Sequence, residues 1–194
     1  MESIDSTPDV SLIYPACNQG DWVRRTLPLA RESLGRLSYE IIVVDDHSTD
    51  GCCHRLGDDV LVLHPVSRLG VSGSRRFGYE HAKGDVIVFS DPHCEYPDGC
   101  LESIAKRAAK TNGIVQPRTR HTPNAKRTYA GSVLANSERG LVTRPVFEPA
   151  PYPALYNTIY AMRREVYDSI QGWPLLPGIW GGSEQAMSLL AWSL

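Results

Sequence analysis

The sequence has little that would tie it to a membrane, a disulfide scaffold or a nucleic acid. No apolar run approaches the ~20 residues that a transmembrane helix needs. The opening MESIDSTPDV is polar and acidic, without the basic and apolar stretches of a secretory leader. The expectation is a soluble, cytoplasmic chain. Five cysteines, Cys17, Cys52, Cys53, Cys94 and Cys100, are odd in number and form no C-x-x-C pair, which argues against a disulfide framework and a zinc ribbon alike. With 20 Lys plus Arg against 22 Asp plus Glu, charge gives no general pull toward nucleic acid. Any anionic ligand must therefore be held locally. The segment after the first apolar run reads YPACNQGDW, neither a G-x-G-x-x-G nor a Gly-rich phosphate loop. This argues against a dinucleotide oxidoreductase and a sugar nucleotidyltransferase. Internal repeats and low-complexity tracts are also missing.

What is present suits one domain with a proper core: 194 residues, 42% of them hydrophobic. Residues 1–9 read as a tail and 10–194 as the domain. Apolar, β-branched runs lead into turn residues at Val10–Pro15, Glu40–Asp46, Asp59–Pro65 and Asp85–Asp91. Runs apolar on consecutive positions suit strands buried on both faces. Between them, Asp21–Leu34, Gly73–Gly84 and Asp98–Lys110 carry helical patterns, the first with Asp21 as N-cap and a kink expected at Pro28. From Asn112 to Pro153 the pattern weakens into Pro-rich and basic loops with short extended segments. YNTIYAMRREVYDSI then reads as a strand passing into a helix. The alternation predicts an α/β domain with a mostly parallel sheet flanked by helices. Ligands of such sheets sit beyond the carboxyl ends of the strands, where Asp45, Asp46 and Asp91 fall.

Two strand ends carry chemistry. In VIVFSDPHCEYP, Asp91 and His93 are an i, i+2 pair, which extended chain places on one side about 7 Å apart at Cα. A carboxylate and an imidazole there could close on one divalent first-row cation such as manganese. Asp-Pro is equally ordinary turn chemistry. In VVDDHSTDG, the carboxylates could serve a phosphate-bearing ligand and its cation, or mark a strand-to-turn junction with Asp50 capping a following helix.

The ordered set VSLIYPACNQGDWVRRTL, IIVVDDHSTDG, RLGVSGSRRFGYEHAKGDVIVFSDPHCE and GIWGGSEQ resembles the family 2 glycosyltransferases. Its Asp-x-His form is similar to the polypeptide N-acetylgalactosaminyltransferases and their bacterial relatives. The likeness runs from about Val10 to Leu194. It implies a single GT-A type, Rossmann-like domain, with a donor-binding half at about 10–118 and an acceptor-side half at about 119–194. It also implies a nucleotide-sugar donor, with UDP-sugar first. Carried over residue by residue, the donor contacts are Pro15, Ala16, Asn18, Asp45, Asp46, Gly70, Arg75 and Asp91. Asp91 and His93 match the family's metal pair, for Mn2+ or, second, Mg2+. Trp180, Gly181 and Gly182 would line the sugar and acceptor pocket.

After Trp180 the chain reads Gly181, Gly182, Ser183, Glu184, Gln185. Ser183 stands where the family has its first Glu, and Glu184 falls at the position that is the general base of many inverting members. Inversion is accordingly preferred. An acidic residue in the first turn of a helix is the alternative role for Glu184. The sequence ends at MSLLAWSL, inside what the family shows as a helix, so the expectation is either a truncated or minimal member or a chain that continues past Leu194. The second functional reading is a domain of the same fold that binds a nucleotide sugar without transferring it. The sequence assigns no acceptor and no oligomeric state.

Overall fold

A computed structural model describes residues 7–120, 126, 128, 131–137, 140–147, 158–175, 186–188 and 190–191, with 131–137 and 140–146 described as backbone only. The sheet is built from β1 (Val10–Ala16), β2 (Tyr39–Asp45), β3 (Val60–Leu63), β4 (Val86–Ser90) and β7 (Ile159–Arg163), in the order β3-β2-β1-β4-β7. The first four strands run parallel, and β7 closes the far side antiparallel to β4. The consecutive apolar residues of β1, β2 and β4 are explained by this layout. Side chains alternate between the faces, and both faces are covered.

Leu12, Tyr14, Ile41, Val43 and Val88 form one core with α1 (Trp22–Leu34) and α3 (Cys100–Ala108). Ile13, Ile42, Val44, Ile87 and Phe89 form the other, with α2 (Gly70–His81) and the short α4 (Arg164–Ser169). Each fully buried Leu, Ile or Phe contributes about 1.5–3 kcal/mol. Helix α2 lies close to the sheet because Gly78 has no side chain: a Cβ there would stand 2.5 Å from Ile13 Cγ2 and 3.1 Å from Val44 Cγ2.

The weakly patterned segment contains a hairpin of β5 (Gly131–Ser137) and β6 (Gly140–Val146), each seven residues long. Arg118 ties the preceding segment to its end, donating to the Phe147 carbonyl at 2.7 Å. Other details differ from expectation. Helix α2 starts at Gly70 rather than Gly73, Asp21 makes no side-chain cap bond, and no helix follows Asp50. Among the described residues, no helix is long and apolar enough to cross a membrane.

Candidate functional site

Parallel pairing brings the carboxyl ends of β1, β2 and β4 to one edge, and the register sets Ala16 beside Asp45. The loops that leave β1 and β2 are stitched together. Asn18 takes a left-handed φ of 51°. Its Oδ1 accepts from the Thr49 N–H at 2.7 Å, and its own N–H donates to Ser48 Oγ at 3.2 Å. The Gly20 N–H donates to Asp50 Oδ2 at 2.7 Å. Asp50, rather than capping a helix, thus joins the two loops. The N–H groups of Gly20 and Cys52 hold its carboxyl below the usual value.

The adjacent carboxylates of β2 part company. Asp45 is buried, with Oδ1 accepting from the Ser48 N–H at 2.9 Å and Oδ2 turned toward the rim, 3.5 Å from His64 Nδ1. Asp46 turns inward, and both of its oxygens are used: the Leu69 N–H donates to Oδ1 at 2.6 Å and the Gly70 N–H to Oδ2 at 2.9 Å. These bonds cap α2, whose own N-cap residue, Leu69, has no side chain able to do so. Gly70 is needed for its positive φ of 69°, and its N–H is spent on Asp46. His64 drew no role from sequence spacing. The signal was its place just past β3, because the ends of neighbouring parallel strands are neighbours in space.

The third strand end gathers the most charge. Asp91 Oδ1 receives a hydrogen bond from Arg75 Nη2 at 3.0 Å. Arg75 is only 2% exposed, its guanidinium 4.3 Å from the Trp173 ring centroid and 5.6 Å from that of Tyr160. Arg75, one of the donor contacts that the resemblance implies, sits buried as the partner of Asp91. Asp91 Oδ2 faces His93 Nε2 at 3.9 Å, too far for a hydrogen bond and close enough for one cation to touch both. The loop is fixed from beneath. Thr26 donates to the Pro92 carbonyl at 2.7 Å, while Tyr96 bridges Ser90 (2.6 Å) and Tyr14 (3.0 Å).

Asp91 and His93 fit a divalent metal in donor type: a hard oxygen and a borderline nitrogen at an open edge, with the second Asp91 oxygen already neutralised. Among the described residues, no group of three or more His, Cys, Asp or Glu side chains could hold an ion. These two would therefore need a ligand's oxygens or water to complete a shell. Trp180, Gly181, Gly182, Ser183 and Glu184 lie outside the described residues.

Comparison with known proteins gives consistent results. A family profile described as Glycosyl transferase family 2 matches residues 11–171. Polypeptide N-acetylgalactosaminyltransferase 10 of Rattus norvegicus is 26% identical over 97% of this chain and 36% of its own length. Polypeptide N-acetylgalactosaminyltransferase 15 of Homo sapiens is 28% identical over 79% of this chain and 28% of its own. The chain thus spans about a third of the length of the curated relatives it matches. Two solved structures share the fold. The crystal structure of GalNAc-T7 with UDP, GalNAc and Mn2+ has a TM-score of 0.72 at 19% identity, covering 97% of this chain and 41% of that one. The mannosyltransferase PcManGT from Pyrobaculum calidifontis, in complex with GDP-Man and Mn2+, has a TM-score of 0.61 at 19% identity, covering 94% and 51%.

Proposed function

This chain belongs to glycosyl transferase family 2, and we propose that it transfers a sugar from a metal-bound nucleotide sugar, UDP-linked first, to an acceptor hydroxyl with inversion. The observation that carries the reading is the facing pair Asp91 and His93, backed by buried Arg75. Residues 10–118 form the donor half in this proposal, and 119–194 the acceptor side.

A divalent cation, Mn2+ before Mg2+, supplies Lewis-acid stabilisation of the departing diphosphate when bound. Asp91 and His93 would hold it, and Arg75 holds the Asp91 carboxylate in place through its hydrogen bond to Oδ1. Asp45 Oδ2, beside exposed His64, accepts an N–H from the nucleobase. Pro15 and Ala16 at the end of β1, and Asn18 in the loop that follows, border that base, with Asn18 fixed by its bonds to Ser48 and Thr49. Glu184 takes the proton of the acceptor hydroxyl as its oxygen bonds the anomeric carbon. The bond from that carbon to the phosphate oxygen breaks on the opposite face, and its electron pair leaves with the diphosphate. Trp180, Gly181 and Gly182 border the sugar. The preference for UDP is supported by the UDP and Mn2+ bound in GalNAc-T7. Ser183 favours a second reading, a donor-binding domain without transfer, because it replaces an acidic residue beside the proposed base.

Calorimetry with UDP and GDP, with and without Mn2+, tests the donor site. The expected result is Mn2+-dependent UDP binding that His93→Ala abolishes. Equal weak binding in every condition would overturn the metal-bridged donor site. Glu184→Gln then separates the two readings: retained binding with lost turnover supports transfer, whereas an unchanged, turnover-free wild type supports the passive binder.

A further inference from the structure

His93 can hold a cation on Nε2 only if that nitrogen carries the lone pair, so the proton of the neutral ring must sit on Nδ1. We propose that Gln19 sets this tautomer, making it a positioning residue for the metal ligand. The proposal rests on the donor-site reading above for its purpose, though not for its test.

The geometry runs through three contacts. Gln19 Nε2 donates to the Cys17 carbonyl at 3.1 Å, which fixes the amide so that Oε1 points away from Cys17. Oε1 stands 3.3 Å from His93 Nδ1. A carboxamide oxygen can only accept, so this contact is a hydrogen bond when Nδ1 bears hydrogen. Nε2, on the far side of the ring, is then left with its lone pair facing Asp91 Oδ2 at 3.9 Å.

The backbone around Gln19 explains why it can impose a preference on a half-exposed ring. Its neighbours Asn18 and Gly20 are both bonded to the loop after β2, and its own carbonyl accepts the Trp22 N–H at 3.1 Å as α1 begins. Gln19 is therefore anchored on both sides, while His93 rides on a loop fixed by Thr26. One residue thereby links the loop proposed to border the nucleobase to the pair proposed to hold the metal. Groups that hydrogen-bond the far nitrogen of a metal-binding imidazole typically change metal affinity 10–100-fold when removed.

Long-range 1H–15N NMR of the histidine rings in metal-free protein reads the tautomer directly, with His93 assigned by its loss in His93→Ala. The expected wild-type signal is Nδ1 protonated and Nε2 not. Gln19→Met keeps the length but removes the acceptor, so the Nε2–H form should gain, and Mn2+ binding in the presence of UDP should weaken about 10–100-fold. Gln19→Glu restores an acceptor and should keep the Nδ1–H form. A wild-type ring protonated on Nε2, or a tautomer unmoved in Gln19→Met, would overturn the proposal. A tautomer governed by Gln19 in a wild type that binds no Mn2+ would uphold the hydrogen bond and sink the metal reading instead.

Discussion

Arg75 is a buried cation set against the Trp173 and Tyr160 rings, with Asp91 as its acidic partner. Breaking a largely buried pair by removing one member is costly, because the remaining charge loses its compensation. Arg75→Met should lower stability by about 2–3 kcal/mol, read as a shift of the urea midpoint, and should also weaken Mn2+-dependent UDP binding. Arg75→Lys should recover only part of either, because a compact ammonium cannot both cover the indole as a guanidinium does and reach the carboxylate. An Arg75→Lys protein indistinguishable from wild type would remove Arg75 from the site. The residue itself was legible from motif resemblance, but its burial was not. Trp173 lies far along the chain, and no local spacing announces that its ring meets a guanidinium from α2. Asp91 and His93 were more readable because an i, i+2 pair at a strand end carries its own geometry.

Helix α2 is held at two points that different substitutions can address. At its start, Asp46→Ala removes the acceptor of two N–H groups and should cost about 1–2 kcal/mol by chemical denaturation, while leaving UDP affinity closer to wild type than Asp45→Asn does. The opposite ranking would mean that Asp46 meets the donor after all. Along its body, Gly78→Ala forces a methyl toward Ile13 and Val44 and should destabilise by about 1–3 kcal/mol, seen in the thermal midpoint. At this scale the strands were well legible, since consecutive apolar residues between turn signals report burial on both faces. Helix ends were less so. The Asp46 cap reaches across more than twenty positions of chain, which is why α2 begins at Gly70 and not where the periodic pattern starts.

For the molecule as a whole, α4 and α2 seat two phenols whose ionisation opposes folding. Burial pushes Tyr167 up to about 12 and is the largest cause of the similar rise of Tyr79 to about 12, from the ordinary 10.0. The unfolded chain releases these protons near pH 10, whereas the folded chain keeps them to about pH 12. In that window the folded state binds more protons, so the stability tied to these two phenols is fully present below pH 10 and should be lost as the pH rises toward 12. Urea midpoints across this range check the sign, and Tyr167→Phe should make the fall shallower. The α/β architecture and its mostly parallel sheet were legible from alternation alone, whereas the antiparallel sense of β7 was not, because an apolar run carries no direction.

The strand order has a consequence during synthesis. Of the five strands of this sheet β1 is made first, yet it lies in the middle, with β4 on one side and β2 on the other. Until Val86–Ser90 has been made, the nascent chain holds a strand whose backbone donors and acceptors are paired along one edge only. β4 in turn waits for Ile159–Arg163. Such distant pairings slow folding and lengthen the exposure of apolar edges. A chain interrupted after β3 would therefore be the form most exposed to aggregation, and the cell's chaperones would meet it there rather than in the finished sheet.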